Sequence, residues 1–137
     1  MNPPVTDRRL RVVLVEDDDE LRDLIREALE ARGYTVISLE DGLELLDYVG
    51  MAVTFEDPLR APRPDLILSD VRMPGTSVFD VLSNIRRVNA SCPVVLMSAF
   101  ADAECLQQAA QSGANTLMAK PVDLEALMEC VESLLPA

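Results

Sequence analysis

Apolar runs that alternate with amphipathic stretches, an apolar share of 49% and a length of 137 residues predict an α/β fold. In such a fold a parallel sheet is covered by helices on both faces. The length suits a domain of ordinary size, which is about 100–150 residues. The composition can bury a core, so the chain is neither a disordered tail nor a stapled mini-protein. One domain spanning residues 1–137 is expected, with its core from about residue 9 to about residue 135.

The elements follow in order. Leu10–Val15 is a nearly continuous apolar run, the pattern of a strand buried on both faces. Leu21, Leu24, Ile25, Ala28 and Leu29 then recur at the spacing of one helix face. Gly33 follows where a helix end favours a residue at positive φ. Tyr34–Leu39 is rich in β-formers and leads to a short helical pattern from about Leu43 to Val49. Leu66–Ser69 is the third apolar run, and Val78, Val81, Leu82, Ile85 and Val88 form the next helical stripe. Val94–Met97 is the fourth strand, followed by a helix ending near Gly113. Thr116–Ala119 is the fifth, and Leu124, Leu127, Met128, Val131, Leu134 and Leu135 mark the last helix. Five such units suggest a flavodoxin-like doubly wound sheet with strand order 2-1-3-4-5.

Residues 50–64 break this rhythm. The stretch is longer than most connections, and its prolines forbid a continuous helix into the third strand. It reads as a surface insertion, although Met51, Val53 and Phe55 are apolar enough for a partner-specific loop. Cys92, Cys105 and Cys130 form no C-x-x-C pair and the chain has no histidine, so a zinc site is not expected. The three thiols read as buried small hydrophobes in a reducing, cytoplasmic setting. Residues 1–7 lack the apolar stretch of a secretory leader, and no apolar run reaches the length of about 18 that spans a membrane. A formal charge of −12 repels phosphate backbones and anionic lipid, so neither nucleic acid nor membrane is expected as a direct partner. Arg8, Arg9 and Arg11, like Arg86 and Arg87, read as solvated flanks.

In a doubly wound sheet the ligand site lies beyond the carboxyl ends of the strands. The first run ends in Glu16-Asp17, the third in Asp70, the fourth in Ser98 and the fifth in Lys120. Each polar residue alone is ordinary, but together they bring carboxylates, a hydroxyl and an ammonium to one edge. Converging carboxylates need a cation, and hard oxygen donors suit Mg²⁺. An Asp beside that ion can attack phosphorus and form an acyl phosphate. A Lys and a hydroxyl can then offset charge on the transferring group. Asp17 and Asp70 are candidate metal ligands, Asp70 the candidate nucleophile, and Ser98 and Lys120 candidate phosphoryl partners. Glu16 is placed to hold a metal-bound water, while Asp18, Asp19 and Glu20 read as helix N-terminal acids. Met97, Met118 and Met128 read as core filler.

Val13-Leu14-Val15-Glu16-Asp17-Asp18, Leu68-Ser69-Asp70-Val71-Arg72-Met73-Pro74, Val95-Leu96-Met97-Ser98-Ala99 and Ala119-Lys120-Pro121 occur in the order found in receiver domains of two-component response regulators. The chain resembles that family from about Arg9 to Leu135. The resemblance implies Mg²⁺, a phosphoacceptor at Asp70, an acidic pair at Glu16 and Asp17, and a third metal ligand from the carbonyl of Arg72. It also implies a switch hydroxyl at Ser98, the family lysine at Lys120 before a cis Pro121, and room for the phosphoryl group beside Ala99. The implied partners are a histidine kinase or phosphotransfer protein, docking on the helix of Leu21–Arg32, and a downstream protein or linked output domain.

Three positions depart from the family pattern: Leu117 replaces the usual rotating aromatic, and Val78 and Ser77 replace a common Gly and Asp. An alternative reading is an interaction module that never takes phosphate, which Leu117 and the insertion permit. A phosphohydrolase of the haloacid dehalogenase type also uses an Asp nucleophile. It needs a second Asp two residues on, where this chain has Arg72, so turnover of small phosphoesters is not expected.

Overall fold

The computed structural model describes residues 9–54, 63–73, 76–88 and 91–135, the side chains of residues 52–54 and 88 excepted. The expectations for residues 1–7, Arg8, the Val53 and Val88 side chains, Phe55 and Pro74 lie outside the described residues. The strands are β1 (Arg11–Val15), β2 (Thr35–Leu39), β3 (Leu66–Asp70), β4 (Val94–Ser98) and β5 (Thr116–Ala119). They pair in parallel in the order β2-β1-β3-β4-β5, the order expected. The helices are α1 (Asp19–Ala31), α2 (Gly42–Thr54), α3 (Val78–Val88), α4 (Ala103–Ser112) and α5 (Leu124–Leu134). A two-residue antiparallel ladder also joins Arg72–Met73 to Thr76–Ser77.

The pleat sorts each central strand between two cores. Val13, Val15, Ile67 and Leu96 pack with Leu45, Val81, Leu82 and Ile85 on the face covered by α2 and α3. Val12, Leu14, Leu66, Leu68, Val95 and Met97 pack with Ile25, Leu29, Leu127 and Val131 under α1 and α5. Burial on both faces is why these strands read as unbroken apolar runs rather than alternating ones. Fully burying one such side chain is worth about 1.5–3 kcal/mol. Three acids start helices: Asp18 accepts from the Leu21 amide, Asp102 from Cys105, and Asp123 from Glu125 and Ala126. Gly113 ends α4 at φ 97°, with Arg86 packed where a β-carbon would sit.

Three expectations need correction. The segment from Gly50 to Thr54 is helical, because α2 runs on to Thr54. No proline lies between Gly42 and Pro58, so the helix expected to stop near Val49 has no local reason to do so. Leu24, placed on a helical stripe, is 50% exposed. It lies at the margin of its stripe, and the sheet covers only the centre. Cys130 is half-buried, whereas Cys92 and Cys105 are buried as expected. Met97 and Met128 fill the core and Met118 packs partly buried against it.

The topology reverses at β1, which lies between β2 and β3. That reversal opens a crevice beyond the carboxyl ends of β1 and β3. The β1–β3 register pairs Val15 with Ser69 and so brings the residues after β1 beside the end of β3.

Candidate functional site

Glu16 and Asp17 follow β1 directly, and Asp70 is the last residue of β3. One carboxylate oxygen from each can be chosen so that all three lie within 4.8 Å of one another. Glu16 is 1% exposed and Asp70 is buried, whereas Asp17 faces solvent. Lys120, just after β5, crosses above β4 to reach the pair: Nζ donates to Asp70 Oδ2 at 2.6 Å and to Glu16 Oε1 at 2.8 Å. The Arg72 amide donates to Asp70 Oδ1 at 2.9 Å, so both oxygens of Asp70 have partners. The Asp18 amide donates to Glu16 Oε2 at 3.1 Å.

Burial and pairing act differently on the two partners of this ion pair. Burial pushes the Glu16 carboxyl above its usual range, against the opposing pull of Lys120 and the Asp18 amide; the nearby charge of Asp70 adds to the rise. Burial works against the Lys120 ammonium too, but hydrogen bonds to Asp70 and Glu16 outweigh it and hold its pKa above the usual value. The less buried member thus keeps its charge firmly, and the carboxylates rest on one ammonium.

Ser98 ends β4 one position beyond the Asp70–Met97 pairing. Its Oγ accepts from the Phe100 amide at 3.0 Å and takes the Cys105 thiol at 3.8 Å, while its carbonyl accepts from the Lys120 amide at 2.8 Å. Those contacts tie Ser98 to its own loop and to β5 rather than to the carboxylates. The Lys120–Pro121 peptide is cis, as the resemblance implied. Leu117 packs partly buried against the α2–α3 core.

Two contacts had no place in the sequence reading. The Arg72 guanidinium lies over the Phe100 ring, 5.2 Å from its centroid, and bridges the loops after β3 and β4. Arg22, in the first turn of α1, donates to the main-chain carbonyl of Glu16 at 2.7 Å. A cation at the positive end of a helix was the available signal for the second. The first has no local signal, because residues 72 and 100 meet only through the sheet.

Comparison with known proteins agrees with this geometry. The model of the response regulator receiver domain family matches residues 12–132. The chain is 28% identical over 126 residues to sporulation initiation phosphotransferase F of Bacillus subtilis, covering 92% of this chain and 94% of that one. It is 32% identical over 121 residues to the DNA-binding transcriptional regulator NtrC of Escherichia coli, covering 88% of this chain but 24% of that longer protein. Chemotaxis protein CheY4 of Vibrio cholerae superposes with a TM-score of 0.78 at 26% identity, over 93% of this chain and 99% of that one. Response regulator TrrA of Thermotoga maritima, solved in complex with Mg²⁺ and BeF, superposes at 0.74 and 26% identity, over 92% and 99%. With its fold, its strand-end carboxylates and a family match over most of its length, the chain belongs to the response regulator receiver domain family.

Proposed function

We propose that this chain, as one receiver domain, takes a phosphoryl group onto Asp70 from a histidine kinase or phosphotransfer protein with the help of Mg²⁺, and so changes which partner it binds. The observation that carries this reading is the clustering of three carboxylates at adjoining strand ends, two of them, Glu16 and Asp70, bonded to the Lys120 ammonium. An all-oxygen acidic set of this size fits Mg²⁺. Asp17, Asp70 and the Arg72 carbonyl would hold the ion, with Glu16 holding a bound water. When bound, the ion neutralises the carboxylates and offsets charge on the phosphoryl group.

The chain's own groups do the rest. An Asp70 carboxylate oxygen forms the new bond to phosphorus as the bond to the donor's imidazole nitrogen breaks, the electron pair leaving with the imidazole. Lys120 exchanges its contact with Asp70 for one with a phosphoryl oxygen. The Ser98 hydroxyl donates to another, and in moving there it strains the loop held by Phe100 and Cys105. This is self-modification, not turnover of a separate substrate. The two-state response then selects a downstream protein or a linked output domain, as the much longer NtrC suggests for one relative. The net charge of −12 opposes direct contact with nucleic acid or anionic membrane. Among the described residues no helix is long and apolar enough to cross a membrane, and we place the protein in the cytoplasm.

The test is intact mass after incubation with acetyl phosphate and Mg²⁺, beside Asp70→Asn. A metal-dependent gain of one phosphoryl group, absent from the variant, is expected. No adduct from acetyl phosphate or from a phosphorylated kinase leaves a phosphate-independent interaction module as the better reading.

A further inference from the structure

Arg22 sits where a cation is disfavoured twice. It is in the first turn of α1, at the positive end of the helix dipole, and its side chain is only 14% exposed. The contacts that offset this lead to the acidic site. Nη1 donates to the Glu16 carbonyl at 2.7 Å, while Nη2 pairs with Asp19 and lies 4.0 Å from Glu40 on the β2–α2 turn. The Glu16 amide meanwhile donates to the Leu39 carbonyl at the end of β2, at 3.1 Å. Both main-chain polar groups of Glu16 are therefore held, one by the sheet and one by the guanidinium.

The carbonyl that Arg22 holds belongs to the peptide joining Glu16 to Asp17. That peptide must turn two carboxylates towards Asp70, against a mutual repulsion that spreads them apart. We propose that Arg22 is a positioning residue for the acidic site: by clamping the Glu16–Asp17 peptide it keeps both carboxylates convergent on Asp70 and competent to bind a divalent cation. The inference rests on the reading of this site as a Mg²⁺ site. Arg22 itself touches neither ion nor phosphoryl group and acts through the Glu16 carbonyl.

Charge and geometry here make opposite demands. A guanidinium so near the site repels a divalent cation, so Coulomb's law alone says that removing it tightens binding. Positioning says that removing it weakens binding, as loss of a group that orients metal ligands does, by about tenfold or more. The sign of the change decides between them.

The experiment is calorimetric titration of the full chain with Mg²⁺ alone, without phosphoryl donor, for the wild type and Arg22→Met. Thermal unfolding of each confirms that folded protein is being titrated. Weaker binding in Arg22→Met, by about tenfold, is the expected result. Unchanged or tighter binding overturns the positioning role while leaving the Mg²⁺ site standing. If Arg22→Met fails to fold, Arg22→Gln carries the same test, because it too removes the charge and the reach to Glu16. A wild type that binds no Mg²⁺ overturns the reading of the site itself, and this inference with it.

Discussion

The two ends of the sheet use polar groups in opposite ways. At the amino end each group has a complementary partner: Asp65 accepts from the Arg11 amide at 2.7 Å, and Asn115 accepts from the Val94 amide at 2.9 Å. Arg86, from the last turn of α3, donates to the carbonyls of Cys92 and Gly113 at 2.6 and 2.7 Å and to Asn115. At the carboxyl end, Glu16, Asp17 and Asp70 crowd together with Lys120 as the ammonium bonded to Glu16 and Asp70. The first arrangement closes strand and helix ends. The second leaves negative charge in excess, which costs stability and is the feature on which the proposed cation and phosphoryl site rests. One fold thus keeps a satisfied end for structure and a frustrated end for chemistry.

Substitutions can break this contrast, beginning with the largest expected effect. Lys120→Met is expected to slow phosphorylation by acetyl phosphate about 100-fold or more, since it removes a positioned charge from the transition state. Intact-mass time courses with Mg²⁺ would show it, and chelating the metal from wild type should abolish the adduct as fully as Asp70→Asn does. Arg86→Ala probes the opposite end. It takes the guanidinium from the Cys92 and Gly113 carbonyls and should cost about 2–3 kcal/mol of stability in urea unfolding, while the phosphorylation rate of the folded protein stays near that of wild type. If Arg86→Ala instead abolished phosphorylation, the division of labour between the ends would be wrong.

The amino end also carries a pH signature. Burial pushes the Cys92 thiol from 9.0 up to about 11. The folded chain then keeps a proton that the unfolded chain releases. This contribution is whole below pH 9.0 and is lost as pH rises through about 11. Its full size is about 3 kcal/mol. Urea unfolding on either side of that window should show wild type losing more stability than Cys92→Ala by about that amount. The smallest effect belongs to the Arg72–Phe100 contact at the rim of the site. Phe100 is 63% exposed, so the stacking is worth about 0.5–1 kcal/mol, and Phe100→Ala should change phosphoryl lifetime only a few-fold. A change of several orders of magnitude would mean that the ring does more than hold Arg72.

Much of this contrast was legible before folding. Buried strands announce themselves as apolar runs, so the positions that follow them, Glu16, Asp17, Asp70, Ser98 and Lys120, were identifiable as one edge. The acids that start α1, α4 and α5 act over three residues or fewer, and the acidic start of α1 was read as such. The length of α2 was misjudged because the break was placed at Gly50, eight residues before the first proline that follows it, whereas the helix runs on to Thr54. Leu24 was misplaced because periodicity gives the direction of a helical stripe but not the width that a neighbour covers.

By itself, the sequence determined the order of elements, the two-sided burial of the central strands and the residue types delivered to the sheet edge. Those follow from local periodicity and covalent position. Only the tertiary structure decided that Lys120 meets Glu16 across 104 residues and that Arg72 lies over Phe100. It likewise decided that Arg22 reaches past its own helix to hold the Glu16 carbonyl. These are side-chain meetings across loops, and their distances depend on sheet register and helix packing, which no local pattern encodes.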